Sequence, residues 1–365
     1  MRIAHVVTYI SADGAFGGPV AVAMAQAEEL ARRGHTVELL AGWDGVATVD
    51  VPGVTVRLFP VRRLPVGGFS GLFSASLVRE FLSANPYDIV HVHLARDLIT
   101  LPVALLVQRR RLPFVVQPHG MVRPDRRLKA RIFDALATRA VLRAARVSLA
   151  LTDAEVADLI AMTGGGPRPE RIANGVPAAP RARIHRATDV PEVLFLARLH
   201  PGKRVMAFAE MARELVARGA RAHFTVIGPD EGDLETLRAF VESEDLAGAV
   251  TYEGALPPGR APERLARADV YVLPSIAEVF PMTVLEAMAA GVPVVLTAGC
   301  GISGVLAERE AALVTDGSPA ELAEAVARLL ADHELRDTTV RNAARAVAEV
   351  FSIEAVGEAL LRHYA

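Results

Sequence analysis

The chain predicts an α/β fold of two Rossmann-like domains, each a doubly wound parallel sheet with helices on both faces. Three observations carry this reading. Its 365 residues exceed one core of usual size and fit two. Short β-branched runs alternate with longer segments such as "VAVAMAQAEELARRG" and "VMAFAEMARELVARG", apolar at i, i+3, i+4 and i+7 and closed by glycine. The alternation stops once, between about Ala178 and Pro191, where "PAAPRARIHRATDVP" is rich in Pro and Arg and has no apolar period. Strand, helix, strand repeated in this way requires parallel pairing, because parallel strands need a crossover between them.

In chain order the predicted strands are Ile3–Tyr9, Ile89–His93, Phe114–Gln117, Val147–Leu151, Val193–Ala197, His223–Ile227, Val250–Tyr252, Val270–Leu273 and Pro293–Thr297. Gly17-Gly18 separates the first strand from the first helix, and Pro19 fits the first helical position, where its missing N–H costs nothing. "GGGPRPERI" is a loop ahead of the turn signal Asn174-Gly175. After Thr315 the pattern is helical: Ser318-Pro319-Ala320-Glu321 combines an N-cap, a first-turn proline and a capping-box glutamate, and Ser352 caps one more helix. The domains are therefore expected at 1–177 and 192–350, with a linker at 178–191 and a terminal helix at 351–365.

Composition narrows the function. Apolar residues make up 52% of the chain, and the formal net charge of −2 gives no global argument for nucleic acid. One cysteine, Cys300, excludes an intramolecular disulfide and fits a reducing cytoplasm. "MRIAHVVTYI" lacks the apolar core and cleavage site of a signal peptide, and "LITLPVALLV" is half of the roughly 20 residues a membrane span requires. A cytoplasmic protein is expected.

Ligands of doubly wound sheets bind at the carboxyl ends of the strands, and the unusual residues fall there repeatedly. Gly17-Gly18 follows the first strand, His93 ends "DIVHVH", and His119-Gly120 follows "FVVQP". In the second half, Arg198 and Lys203 follow "VLFLA", Gly228 follows "FTVI" and Glu278 follows "VYVLPS". Two halves with polar strand ends point to a cleft between them. Each feature alone has an ordinary reading. A glycine pair is most often a tight turn, and its spacing is not the G-x-G-x-x-G fingerprint. Two loop cations are usually solvated; facing a ligand they would grip a diphosphate. His93 and His119 read as satisfied strand-end histidines rather than metal ligands, since no third ligand at suitable spacing accompanies them. Cys300 has no neighbouring base and reads as a small loop residue.

A basic stretch stands out: Arg109, Arg110, Arg111, Arg123, Arg126, Arg127, Lys129, Arg131, Arg139, Arg143 and Arg146 face only Asp125 and Asp134. The ordinary reading is a solubilising face. The sharper one is an anionic acceptor or an inner-leaflet membrane surface meeting the N-terminal half.

Taken in order, "GGPVAVAMAQAEELARRGHTVELLAG", "YDIVHVH", "PHG", "RIANGV", "LARLHPGKR", "FTVIG" and "ARADVYVLPSIAEVFPMTVLEAMAAGVPVV" resemble the retaining glycosyltransferases of family 4, with the GT-B fold. The resemblance covers almost the whole chain and includes the E-x7-E signature at Glu278 and Glu286. It implies a nucleotide-diphosphate sugar as co-substrate, held mainly by the C-terminal domain, and a hydroxyl acceptor (glycan, lipid-linked or small molecule) held mainly by the N-terminal one. No metal or other cofactor is implied. Arg198 and Lys203 match the pair that neutralises the donor diphosphate, Glu286 the residue on the ribose, and Glu278 the one near the donor sugar hydroxyls. His119 matches the histidine close to the transferred sugar, and Gly17-Gly18 the flexible glycine loop. Gly228, Leu256, Phe280, Met282 and Thr283 are expected around the donor, the last two as backbone amide donors. The terminal helix is expected to cross back to the first domain.

One departure is visible: the family often has glycine where this chain has Val279 and Pro281. Valine is poor at positive φ, so the loop is expected to use ordinary backbone angles. Rival readings are a sugar-nucleotide epimerase, a phosphorylase of similar fold, and a non-catalytic nucleotide-sugar-binding partner.

Overall fold

The computed structural model describes residues 1–11, 17–64, 69–83, 87–177, 190–257 and 259–365. Most of the expected linker therefore lies outside the described residues. The chain forms two compact units, Met1–Gly175 with Ile353–Ala365, and Val176–Ser352.

The first unit is built on five parallel strands, β1 (Arg2–Ile10), β2 (Thr36–Trp43), β3 (Val54–Pro60), β4 (Ile89–Val92) and β5 (Phe114–Val116), in the order β3-β2-β1-β4-β5. Helix α1 (Gly17–Arg32) carries the chain from β1 to β2. It starts at Gly17, so Pro19 is its third residue and not its first, and the glycine pair forms the opening of the helix. A helical run later in the unit comprises α2 (Leu128–Phe133), a π turn over Asp134–Thr138, and α3 (Arg139–Ala144). Apolar residues of β1, β2 and β4, among them Val6, Leu40, Val90 and Val92, close a core with Leu77, Phe81 and Val141.

Strands β2 and β3 are not among the expected ones. Glu38 and Arg57 interrupt their apolar alternation, and in the fold the two form an ion pair at 3.3 Å, with Glu80 at 2.6 Å from the same guanidinium. The expected strand Val147–Leu151 shrinks to Leu149–Ala150, paired with Glu170–Arg171, plus one bridge from Ser148 to Val116.

The second unit has six parallel strands, β6 (Glu192–Leu196), β7 (His223–Ile227), β8 (Val250–Tyr252), β9 (Val270–Leu273), β10 (Val294–Thr297) and β11 (Leu313–Thr315), in the order β8-β7-β6-β9-β10-β11. Only β11, three residues long, was not expected. Helix α4 (Val205–Ala217) buries Val205, Phe208, Met211 and Leu215 against Phe195 and Phe224 of the sheet. Helix α5 (Met282–Ala289) follows β9. Ser318 accepts from the Glu321 amide at 3.3 Å, as the capping signal requires.

The last helix, α6 (Ile353–Tyr364), packs in the first unit. Val356, Leu360 and Tyr364 bury against Ile3, Ala27 and Leu30, and Arg33 and Arg146 donate to the Glu354 and Tyr364 carbonyls at 2.7 Å each. Among the described residues no helix is long and apolar enough to cross a membrane.

The first unit's core is not wholly apolar. His5 on β1 and His91 on β4 are register partners, and His93 follows two residues after His91 on the same face of the sheet. All three are sealed from solvent, and burial drives each towards its neutral form, His5 down to about 3. In the unfolded chain they titrate near 6.5, so below that value the unfolded state binds more protons and stability rises with pH. Each buried imidazole therefore withdraws about 1.4 kcal/mol per pH unit on acidification below about 6.5. Asp97 and Glu155, whose carboxyls burial pushes up, act with the opposite sign. Urea unfolding at pH 7 and pH 5 is expected to show a marked loss of stability at the lower pH. In His91→Gln the slope flattens by about one proton; an unchanged slope would show that His91 is not held neutral.

Candidate active site

In both sheets the strand order reverses beside the first strand, between β1 and β4 and between β6 and β9. Crossover helices leave such a point on opposite faces, so the carboxyl ends of the two central strands stay uncovered.

In the second unit the loops that follow these two strands carry the predicted lysine and glutamate. After β6, "LHPGK" turns tightly: His200 Nδ1 accepts from the Gly202 amide at 3.0 Å and Pro201–Lys203 form a 3-10 turn. This aims Lys203 at the loop after β9, where its Nζ bonds the Glu278 carboxylate. Both side chains are about one-fifth exposed, so the pair is reachable. Arg198, in contrast, turns to Glu231 at 2.9 Å and stays more than half exposed. The structure thus brings Lys203 and Glu278 together and leaves Arg198 paired elsewhere.

The β9 loop is held at several points. Ile276 N–H and Ser275 Oγ donate to Gly202 O at 3.1 and 3.0 Å, tying it to the lysine turn. Thr297 Oγ1 bonds Ser275 O, Cys300 Sγ lies 3.8 Å from the same oxygen, and Gly301 N–H donates to Glu278 O at 2.8 Å. Burial pushes the Cys300 thiol up to about 11, so it stays protonated and serves as packing. The expectation of ordinary backbone angles fails at one residue. Ala277 sits at φ 58° while Val279 does not adopt positive φ, because the smaller side chain is the cheaper one to place in the left-handed region. Sequence reasoning missed Ala277, Thr297 and Gly301, whose roles depend on tertiary contact.

Pro281 caps α5, and the helix proper opens at Met282. The Val284 amide reaches back to Pro281 O at 3.2 Å; those of Met282 and Thr283 have no carbonyl one turn behind them and lie at the positive end of the helix. Glu286 is one turn further in and partly exposed. Glu278 and Glu286 both act on Tyr271, whose hydroxyl donates to Leu196 O or Thr283 Oγ1 and is held well above its ordinary range by burial first. The two glutamates therefore flank one point of the sheet. Gly228 has a packing reason of its own: at φ 152° a Cβ would stand 1.8 Å from Ala197 O, so only glycine lets β7 end beside β6. Phe280 is buried edge-to-face on Phe351 at 6.1 Å, and Leu256 is partly exposed in the loop after β8. A cavity of about 570 Å³ lined by Leu313, Glu321, Arg328 and Thr339 lies apart from these residues.

In the first unit the corresponding strand ends carry imidazoles. His119, in the left-handed region at φ 55°, is fixed by the Gly120 amide donating to Glu155 Oε1 at 2.6 Å. Its Nε2 is hydrogen-bonded to His93 Nδ1 at 2.8 Å, and His93 Nε2 to His5 Nδ1 at 3.0 Å. The expectation that no third ligand at suitable spacing accompanies His93 and His119 missed what the fold brings together: the parallel register brings up His5 and His91 from strand interiors. Nitrogens of His5, His91 and His93 lie within 4.8 Å of one another. Both ring nitrogens of His93 are already bonded, and its ring stacks on His91 at 4.4 Å and 11°. That is a hydrogen-bonded seam. The alternation of "HVH" was the available signal for His91.

The family model for glycosyl transferases group 1 matches residues 180–346, and that for a glycosyl transferase 4-like domain matches residues 17–175. The D-inositol 3-phosphate glycosyltransferase of Acidothermus cellulolyticus is 30% identical over 80% of this chain and 72% of its own. The alpha-D-kanosaminyltransferase of Streptomyces kanamyceticus is 32% identical over 48% of this chain and 46% of its own. In fold, the crystal structure of Anabaena Alr3699/HepE in complex with UDP matches at a TM-score of 0.77 and 17% identity over 99% of both chains. Two sheets with opposed wings, loops bearing a lysine–glutamate pair, and family models that together run through both units place the chain among the group 1, family 4 glycosyltransferases of the GT-B fold.

Proposed function

We propose that this glycosyltransferase is retaining, takes a nucleotide-diphosphate sugar in its second unit, and passes the sugar to a hydroxyl acceptor held by its first. The observation that carries this is the pairing of Lys203 with Glu278 on the loop that leads into α5, whose N-terminus has no side-chain cap. Breaking the anomeric bond places negative charge on the departing diphosphate. Lys203 and the Met282 and Thr283 amides can meet that charge from where they stand. Arg198 would exchange Glu231 for phosphoryl oxygens, for which its planar fork is suited. Glu278, held by Lys203, accepts hydrogen bonds from sugar hydroxyls, and Glu286 from the ribose. With the anomeric carbon–phosphate bond breaking, the acceptor oxygen bonds that carbon from the same face and its proton passes to the leaving phosphate oxygen. The buried, unreactive Cys300 supports a reducing, cytoplasmic setting.

The first donor to test is a uridine diphosphate sugar, because the fold relative from Anabaena holds UDP. For the acceptor we favour polysaccharide or glycolipid assembly. The likeness to the kanosaminyltransferase over half the chain supports a small natural product as the second reading.

A lipid-linked acceptor is favoured by the α2–α3 run. Leu128, Ile132 and Leu136, spaced i, i+4 and i+8, are 72, 49 and 76% exposed, and Arg126, Lys129, Arg131 and Arg139 flank them. An apolar stripe edged by cations is the pattern of a helix that lies on an anionic bilayer. Several arginines of the basic stretch serve other ends: Arg110 donates to Phe81 O, Arg143 to Thr163 O, and Arg127 pairs with Asp125.

Arg198→Ala, Lys203→Ala and Glu278→Ala are each expected to lower turnover at least about tenfold, about 1.4 kcal/mol in barrier. Unchanged turnover in folded variants would remove this site and leave a non-catalytic binding role. A thermal-shift screen of UDP-, GDP-, ADP- and dTDP-sugars is expected to give one base that raises the melting temperature. Sedimentation with phosphatidylglycerol vesicles is expected to capture the protein at low salt. Neutral phosphatidylcholine vesicles should not, and Leu128→Asp with Leu136→Asp abolishes capture; no capture of the unaltered chain ends the membrane reading.

A further inference from the structure

We infer that His93 and His5 are positioning residues that fix His119 as an Nδ1–H hydrogen-bond donor. The inference rests on the reading that His119 faces the transferred sugar.

A neutral imidazole carries one N–H and one lone pair, on different nitrogens. Burial holds His5, His93 and His119 neutral. His93 spends both nitrogens inside the chain, Nε2 on His5 Nδ1 and Nδ1 on His119 Nε2. It must therefore donate to one neighbour and accept from the other. Two assignments satisfy both bonds: all three rings protonated at Nδ1, or all three at Nε2. The tautomers cannot change one at a time.

The inner end of the seam chooses between them. His5 Nε2 is buried with no partner, and so is His91 Nε2, on a ring whose centroid is 4.8 Å from that of His5. His91 Nδ1 bonds the Tyr364 hydroxyl at 2.6 Å. Burial holds that hydroxyl protonated, and donating to His91 Nδ1 is the assignment that leaves fewer polar atoms unpaired. His91 then carries its proton on Nε2. With His5 bare at Nε2, the two unpartnered atoms on the adjoining rings are one donor and one acceptor, whose dipoles attract. With His5 protonated there, both unpartnered atoms would be donors and the two N–H dipoles would repel. The seam thus settles with every proton on Nδ1, and His119 presents an N–H outward. Its Nδ1 has no partner among the described residues. Held by the Gly120–Glu155 bond, it is aimed before any ligand arrives and suits an acceptor oxygen, the lone pair of a sugar hydroxyl or a phosphoryl group.

Histidine labelled with ¹⁵N, observed by long-range proton–nitrogen correlation at neutral pH, reads the tautomer directly. The expected result is His119 wholly in the Nδ1–H form in the unaltered chain. In His93→Phe, or in His5→Phe should the former not fold, it shifts largely to the Nε2–H form that free imidazoles favour. His119 found in the Nε2–H form, or unmoved in a folded variant, overturns the inference. Turnover of His119→Ala tests the underlying reading separately: activity retained would take His119 away from the sugar without altering the tautomer result.

Discussion

The constraint on which the rest depends is the adjacency of β6 and β9, paired through Val193–Val270 and Leu194–Tyr271 yet far apart in sequence. Parallel strands end at the same edge of a sheet, so this pairing fixes that the turns after β6 and β9 emerge side by side. Lys203 and Glu278 meet for that reason, across 75 residues of chain. The wings then run away in opposite directions, and no crossover helix covers the edge between them. The Gly202 carbonyl, taken by both Ser275 and Ile276, shows how close the approach is. A one-residue slip of β9, buried on both faces, would exchange Val270 and Val272 with Tyr271 and Leu273 and carry the glutamate loop to the other face.

Adjacency alone would give two floppy loops. The glutamate loop is stiffened from a third strand, through Thr297, Cys300 and Gly301 after β10, and it accepts a left-handed Ala277 as part of the turn. A left-handed alanine costs about 1–2 kcal/mol, tolerated because so many bonds define the turn. The return is a carboxylate whose position does not have to be ordered when a ligand binds, which is where catalytic electrostatics gains most over water. The same packing explains a lone cysteine with no chemistry: it fills space beneath the loop as a neutral thiol.

What could be read from the sequence follows this division between edge and interior. Lys203, Glu278 and His119 stood out because strand ends are marked by a break in β-branched pattern, and a polar residue there has few structural excuses; Glu286, inside α5, came only from the family resemblance. Features set by tertiary register were not. His5 and His91 lie inside strands, where single histidines look like core residues, and only the pairing of β1 with β4 makes them a group. Arg198 was read as a partner of Lys203, whereas the loop after β7 supplies Glu231 to it. Strands β2 and β3 escaped because Glu38 and Arg57, which break their pattern singly, cancel as a pair. The arginines between 109 and 146 drew attention as charge; the exposed Leu128, Ile132 and Leu136 among them show only when the helix is packed and one face remains uncovered.

The histidine seam raises the question of why a core should carry three imidazoles with a fourth at its edge. A polar group is needed at the carboxyl edge of β4 and β5 if that edge is to hold a ligand, and it must be supported from behind by something that also hydrogen-bonds. A carboxylate in that place, sealed as His5 and His91 are, would carry a desolvation penalty that a single neutral partner does not repay. A hydroxyl has one polar atom and cannot bond a neighbour at one end and relay through a second polar atom at the other. Neutral imidazole meets both requirements: it reaches between strands, it relays a donor through an acceptor, and it stays uncharged at neutral pH. Its cost is the pair of unpartnered Nε2 atoms on His5 and His91, and that cost is smallest when the two are of opposite kind. The order of protons along the seam is therefore set at its buried end, by Tyr364 on the last helix, and expressed at its exposed end, on His119.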